Sequence, residues 1–157
     1  KTLSDELIEK IVDINTIYKA KNEIDLFKNT NENLRGTLKI SKPITDSENF
    51  KTLIDSLYKF IYEGSGSLSR VPKELLLDDS IFFDIKHLRT DFYHDIEHGK
   101  PGKIKAKQST ITKIYQKYTG KDSIEELEIG DLIRFQKSIY KNLLTELEYL
   151  RNTIKSA

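Results

Sequence analysis

Cysteine is missing from the chain. That excludes a disulfide scaffold and any thiolate metal site, and it agrees with a reducing, cytoplasmic setting, the expected location. A dominant charge is missing too: 26 Lys and Arg stand against 25 acids, a net charge of +1. Overall charge therefore draws in no nucleic acid, and attraction for phosphate must come from a local cluster. No apolar run approaches the roughly 20 residues that a membrane span needs, so no membrane partner is expected. The opening Lys1-Thr2-Leu3-Ser4-Asp5 carries no signal-peptide pattern. Methionine is absent and the first residue is Lys; the chain is expected to be a piece of something longer, with further domains or a partner protein beside it. A Gly-rich phosphate loop, a dinucleotide-binding fingerprint and a Ser–His–Asp set are likewise not found.

What is present is helical periodicity. The 157 residues, 37% hydrophobic and 32% charged, suit one soluble helical domain spanning 1–157. Ser4 is expected to cap a first helix whose stripe is Leu7, Ile8, Ile11, Ile14 and Tyr18, continued by Ile24 and Phe27 to about Asn29. Gly36 and Pro43 then mark a loop, which includes residues 37–40. A second helix opens near Thr45-Asp46-Ser47-Glu48, carries Phe50, Leu53, Ile54, Leu57, Tyr58 and Ile61, and ends at the Gly64–Ser67 joint. Pro72 suits the first turn of a short helical piece through Leu77. A third helix, about Asp79 to His98, has the stripe Ile81, Ile85, Leu88 and Phe92 and is stopped by Gly99-Lys100-Pro101-Gly102. A fourth is expected from about Ser109 to Thr119, closed by Gly120. Ser123 and Glu126 have capping-box spacing for one short turn. Asp131 is expected to cap a last helix carrying Leu132, Phe135, Ile139, Leu143, Leu147, Leu150 and Ile154. The fold class is all-α, an up-and-down bundle of four to five helices.

The stretch Leu88-Arg89-Thr90-Asp91-Phe92-Tyr93-His94-Asp95 holds the candidate chemistry. Five residues of helix turn the chain by about 500°, leaving Arg89 and His94 about 140° apart. They do not stack over one another, but a long guanidinium stem can reach round the helix, and two copies across a dimer axis supply facing pairs. Arg offers a permanently charged planar fork that matches phosphate oxygens. His titrates near neutrality and can move a proton. RNA brings its own nucleophile, the 2′-hydroxyl, so this pair is a minimal set for cleaving it without a metal or cofactor. Solvated or salt-bridged side chains, paired with Asp91, Asp95 or Glu97, are the structural alternative.

An Arg followed by His after four to six residues, late in a core helix of a helical bundle of this size, resembles the HEPN superfamily. The resemblance covers the helical architecture across most of the chain; its specific part is the Arg89–His94 octet. It implies a homodimer in which two motifs meet, and a metal-independent endoribonuclease acting on single-stranded RNA in defence, toxin or stress systems. Carried over, Arg89 holds the scissile phosphate and His94 transfers the proton or orients the 2′-hydroxyl, with Asp91, Tyr93 and Asp95 in support. The family commonly places Asn, Asp or His directly after the Arg, where this chain has Thr90 and then Asp91. Some members are inactive binding modules, so a non-catalytic dimerisation or RNA-binding domain of a larger defence or regulatory protein is the alternative.

Gly99–Lys107 is the one dense positive stretch. Lys100, Lys103, Lys105 and Lys107 are read as an irregular arm that engages an RNA backbone, against the alternative of a solvated loop. His94 and His98 share a helix face at the spacing of a two-histidine metal site, but no zincin-type Glu lies between them and no third His is close except His87, so no metal is expected. His87, beside the core stripe, reads as structural. Among the aromatics, Tyr115 and Tyr118 fall at core or rim positions, leaving Tyr93 as the base-stacking candidate.

Overall fold

Thr2, rather than Ser4, starts the first helix. Its hydroxyl accepts the Asp5 N–H at 3.2 Å while the Asp5 carboxylate accepts the Thr2 N–H at 3.3 Å, a reciprocal cap in which Asp replaces the usual Glu or Gln. The computed structural model describes residues 2–27, 39–63, 71–77, 79–93 and 101–157. Among them are five α-helices: α1 (Leu3–Asn22), α2 (Ser47–Tyr58), α3 (Ile81–Tyr93), α4 (Pro101–Thr119) and α5 (Ile129–Ser156). No strand occurs among the described residues. The protein is an all-α helical bundle.

Several boundaries differ from those expected. α1 stops at Asn22 rather than near Asn29, because Glu23 adopts the left-handed conformation (φ 66°) and its N–H returns to the Lys19 carbonyl at 2.8 Å. Phe27 is still buried. The Asn15 side chain holds it, donating to the Phe27 carbonyl at 3.0 Å and accepting the Phe27 N–H at 2.9 Å. α2 begins at Ser47, within the stretch where the sequence places its opening, with Asp46 as its cap, and continues as one π-helical stretch, Lys59–Glu63. The piece after Pro72 is a 3₁₀ turn, Lys73–Leu76. α5 begins at Ile129, capped by Glu128 with Asp131 in the reciprocal position, so Asp131 lies inside the first turn instead of before it.

The largest difference is in α4, which begins at Pro101 and not near Ser109. Residues 101–107 are therefore helical rather than an irregular arm. Proline at the first helical position loses no hydrogen bond, since that N–H has no partner within the helix anyway. Gly102 weakens the helix by only about 1 kcal/mol. The far end behaves as expected: Gly120 takes φ 74° and returns its N–H to Gln116 at 3.0 Å.

α5 packs against all four other helices, and its predicted apolar stripe is buried from Leu132 to Ile154. α1 runs parallel to it, tied by the ion pairs Lys10–Glu148 and Arg151–Asp13. Further along, Lys21 donates to the carbonyls of Ile154 (2.7 Å), Lys155 (2.9 Å) and Ala157 (2.6 Å), a cation placed where the helix dipole is negative. α2 also follows α5, with Phe50 against Phe135 at 4.9 Å between ring centroids. α3 runs against α2, from Tyr62 donating to the Phe82 carbonyl at 2.8 Å to Phe50 meeting Phe92 edge-on.

The start of α3 is closed by Ser80, whose hydroxyl accepts the Phe83 N–H at 3.1 Å, and by Glu146 of α5, whose carboxylate takes the Ile81 N–H at 3.0 Å. Burial raises the Glu146 carboxyl above the ordinary range, outweighing the backbone donors that lower it. The fold thus holds a proton here more tightly than the unfolded chain does. Stability from this group is present below the ordinary glutamate value, about 4.3, and is lost as pH rises from there through the folded value. Glu146→Gln is expected to flatten that decline, as read from urea-unfolding midpoints across pH 4 to 7.

Candidate functional site: the Arg89 environment and the α4 lysines

Leu88 is fully buried in the stripe of α3, which places Arg89 at the edge of the core, facing α2. Its Nε donates to Asp55 Oδ1 at 2.9 Å, and its guanidinium lies over the Tyr58 ring, 4.2 Å from the centroid. Tyr58 in turn stacks on Tyr62 at 4.8 Å. Asp55 also pairs with Lys59 at 3.2 Å. Both Arg89 and Asp55 keep about a fifth of their side-chain surface exposed (19% each). Burial pushes the Asp55 carboxyl up, but hydrogen bonds from Arg89 and Lys59 outweigh it and hold it below its usual value. A phosphate approaching Arg89 must compete with a carboxylate already seated on it.

The other predicted residues divide into three groups. Asp91 accepts the Tyr115 hydroxyl at 2.9 Å, and burial keeps its carboxyl raised despite that bond. It fastens α3 to α4 and is not brought together with Arg89. Tyr93 is the last described residue of α3, but its side chain, together with His94, Asp95, His98 and Lys100, lies outside the described residues. Lys103, Lys105 and Lys107 are exposed on the first turns of α4. Their helical placement corrects the loop reading and leaves their charges facing solvent.

His87 is half-buried with its ring 4.1 Å from that of Phe83, in keeping with a structural part. Tyr115 is buried and Tyr118 half-buried, meeting Phe135 at 6.0 and 5.0 Å. Among the described residues no group of three His, Cys, Asp or Glu could hold a metal ion.

Two features escaped the sequence reading. Asp55 and Tyr58 reach Arg89 across a separation that no local pattern encodes. Asp84 is different, because its signal was available. It sits on the core stripe, three residues after Ile81 and four before Leu88, where a charge requires partners. It is 1% exposed, and accepts Lys117 Nζ at 2.7 Å and the Tyr118 hydroxyl at 2.5 Å.

Alone among the described helices, α4 contains no acidic residue, while carrying Lys103, Lys105, Lys107, Lys113 and Lys117. At 100° per residue, Lys103, Lys107, Thr110, Lys113 and Lys117 fall within an arc of about 120°, and Lys105 lies off it. No protein-family model matches the chain, and no curated protein or solved structure is significantly similar to it.

Proposed function

We propose that this protein is a HEPN-like helical domain that binds single-stranded RNA through the lysine-bearing face of α4, with Arg89 serving as a cross-helix tie. The observation that carries this reading is the acid-free α4, whose lysines project at a spacing of about 6 Å per four residues. A polyanion laid along such a face releases counterions, the main driving force for backbone binding. The engagement of Arg89 by Asp55 and Tyr58 favours binding over cutting, since a transition-state donor needs to meet the phosphate rather than an internal carboxylate.

Fluorescence anisotropy with a labelled single-stranded oligonucleotide at stepped salt tests the proposal. The logarithm of the association constant is expected to fall with log[salt], by about 0.7 per phosphate neutralised. Lys103→Gln combined with Lys107→Gln should make that slope shallower by about 1.4, twice the single-contact value. A slope that does not change with these substitutions overturns the reading.

A second reading is supported by the position of Arg89 near the end of α3, with His94 one residue beyond the described helix. In it, two copies bring Arg89 and His94 together as a metal-independent endoribonuclease of a defence, toxin or stress system. Incubating the protein with single-stranded RNA in excess EDTA separates the two. Intact RNA with retained binding is expected. Cleavage abolished both by Arg89→Ala and by His94→Ala would establish the nuclease instead, and native mass measurement would then have to show the homodimer.

A further inference from the structure

We infer that the groove between α3 and α4 is a nucleobase subsite, taking one unpaired base from an RNA strand whose backbone lies along α4. This rests on the RNA-binding reading and adds to it the part of the nucleotide that is recognised. The groove is lined by Asp79, Phe83, Asp84, Thr110, Lys113 and Lys117. Its Thr110, Lys113 and Lys117 belong to the same arc of α4 as Lys103 and Lys107, so the row of cations, about 21 Å long, leads into it.

Phe83 makes the groove more than a charged surface. The flanking Phe82 and Asp84 are buried, yet Phe83 is only half-buried and stands apart from the apolar cluster that forms the core. Its ring meets His87, one turn along α3, at 4.1 Å. An aromatic ring held beside lysines, with a face outside the core, is the arrangement by which proteins stack single-stranded bases regardless of sequence. Lys117, fixed by Asp84, keeps one ammonium at the groove wall, while Lys113 is exposed at the rim. Asp79, exposed just before α3, adds a carboxylate with two acceptor oxygens. That favours a base presenting adjacent N–H donors, as guanine does, over uracil with its carbonyls.

Two polyanions distinguish this inference from the reading beneath it: a uridine tract with one central guanosine, and inorganic polyphosphate, which has charge but no bases. Phe83→Ala is expected to weaken RNA binding about five- to tenfold while leaving polyphosphate binding unchanged, because stacking on one aromatic ring is lost and no charge is. Phe83→Leu, which keeps apolar bulk, should show the same loss, and Phe83→Tyr should retain affinity. Equal losses for both ligands, or no loss for RNA, would overturn the subsite. Lys103→Gln with Lys107→Gln is expected to weaken both ligands. If it weakens neither, the α4 reading itself fails, whatever Phe83 does.

Discussion

Phe135→Ala is expected to destabilise the protein by about 4 kcal/mol, the largest single-residue effect in the bundle, within the range for buried Phe truncations. Phe135 is fully buried on α5 and lies where four helices converge. It meets Phe50 of α2 at 4.9 Å, Tyr118 of α4 at 5.0 Å in a stacked arrangement, and Tyr115 edge-on at 6.0 Å. Phe92 of α3 reaches the same cluster through Phe50. Truncation removes the ring's transfer energy and leaves a void that three helices cannot close together, and the aromatic pairings add to the loss. Against a typical total stability of about 5–15 kcal/mol, this leaves a thin margin. For a chain of this length it corresponds to a fall in Tm of about 10 °C, at roughly 2–4 °C per kcal/mol. Thermal melts followed by circular dichroism, with urea midpoints alongside, provide the measurement. Ile133→Ala, two residues earlier and on the opposite, exposed side of α5 at 47% relative exposure, is the control and should change stability by less than about 0.5 kcal/mol. A Phe135→Ala loss no larger than the control's would mean that the aromatic cluster does not organise the bundle.

The contrast between those two positions also shows what was legible in the sequence. The last helix could be read almost residue by residue, since seven apolar positions at helical spacing admit one buried face, and all seven are buried. Its start was missed by three residues because a Glu128–Asp131 cap looks like ordinary surface acid until backbone geometry is known. In α1 the apolar positions Ile24 and Phe27 extended the stripe on paper. The chain instead turns at Glu23, and Asn15 then receives Phe27 from outside the helix. In α4 the Pro101-Gly102 pair looked like a stop. Proline ends a helix it lies inside but suits one it begins, and the sequence alone does not say which side of the boundary it occupies. Once the helix begins at Pro101, Lys103 and Lys107 acquire a fixed face and a relation to Phe83 that a flexible arm would not give them.

Site residues were less legible for a different reason. Arg89 stood out by its neighbours in sequence, but its environment is set by Asp55 and Tyr58 on another helix. Asp91, expected near Arg89, is turned to Tyr115. In each case the deciding partner comes from tertiary packing, which periodicity locates only to a face. The acid-free run of α4, by contrast, is a property of composition and could be read from the chain directly.

Asp84→Ala is expected to destabilise by about 3 kcal/mol, the range for breaking a buried charged network by removing one partner. The cause differs from that at Phe135. Asp84 is almost wholly shielded from water, and it is bound by an ammonium from Lys117 and a hydroxyl from Tyr118. Removing the carboxylate lets Lys117, 45% exposed, return to solvent at little penalty. The Tyr118 hydroxyl is left half-buried, with Asn142 at 3.4 Å as its remaining described neighbour, and that unmet donor accounts for much of the loss. Asp84→Asn keeps an acceptor for Tyr118 and gives up only the charge, so it should lose roughly half as much. Adding Tyr118→Phe to Asp84→Ala should then cost little more, because the orphaned hydroxyl is gone; a double-mutant cycle reads the coupling between them. The same substitution carries a pH signature. Burial is the main reason the Glu146 carboxyl is raised, and the nearby Asp84 charge adds to it. Asp84→Asn should therefore bring Glu146 back toward its ordinary value and reduce the loss of stability above about pH 4.3, in the direction set by linkage. Were Asp84→Ala to leave both stability and its pH dependence unchanged, the buried network would be incidental to the fold, and the α3–α4 groove wall would lack the fixed Lys117 on which the base subsite depends.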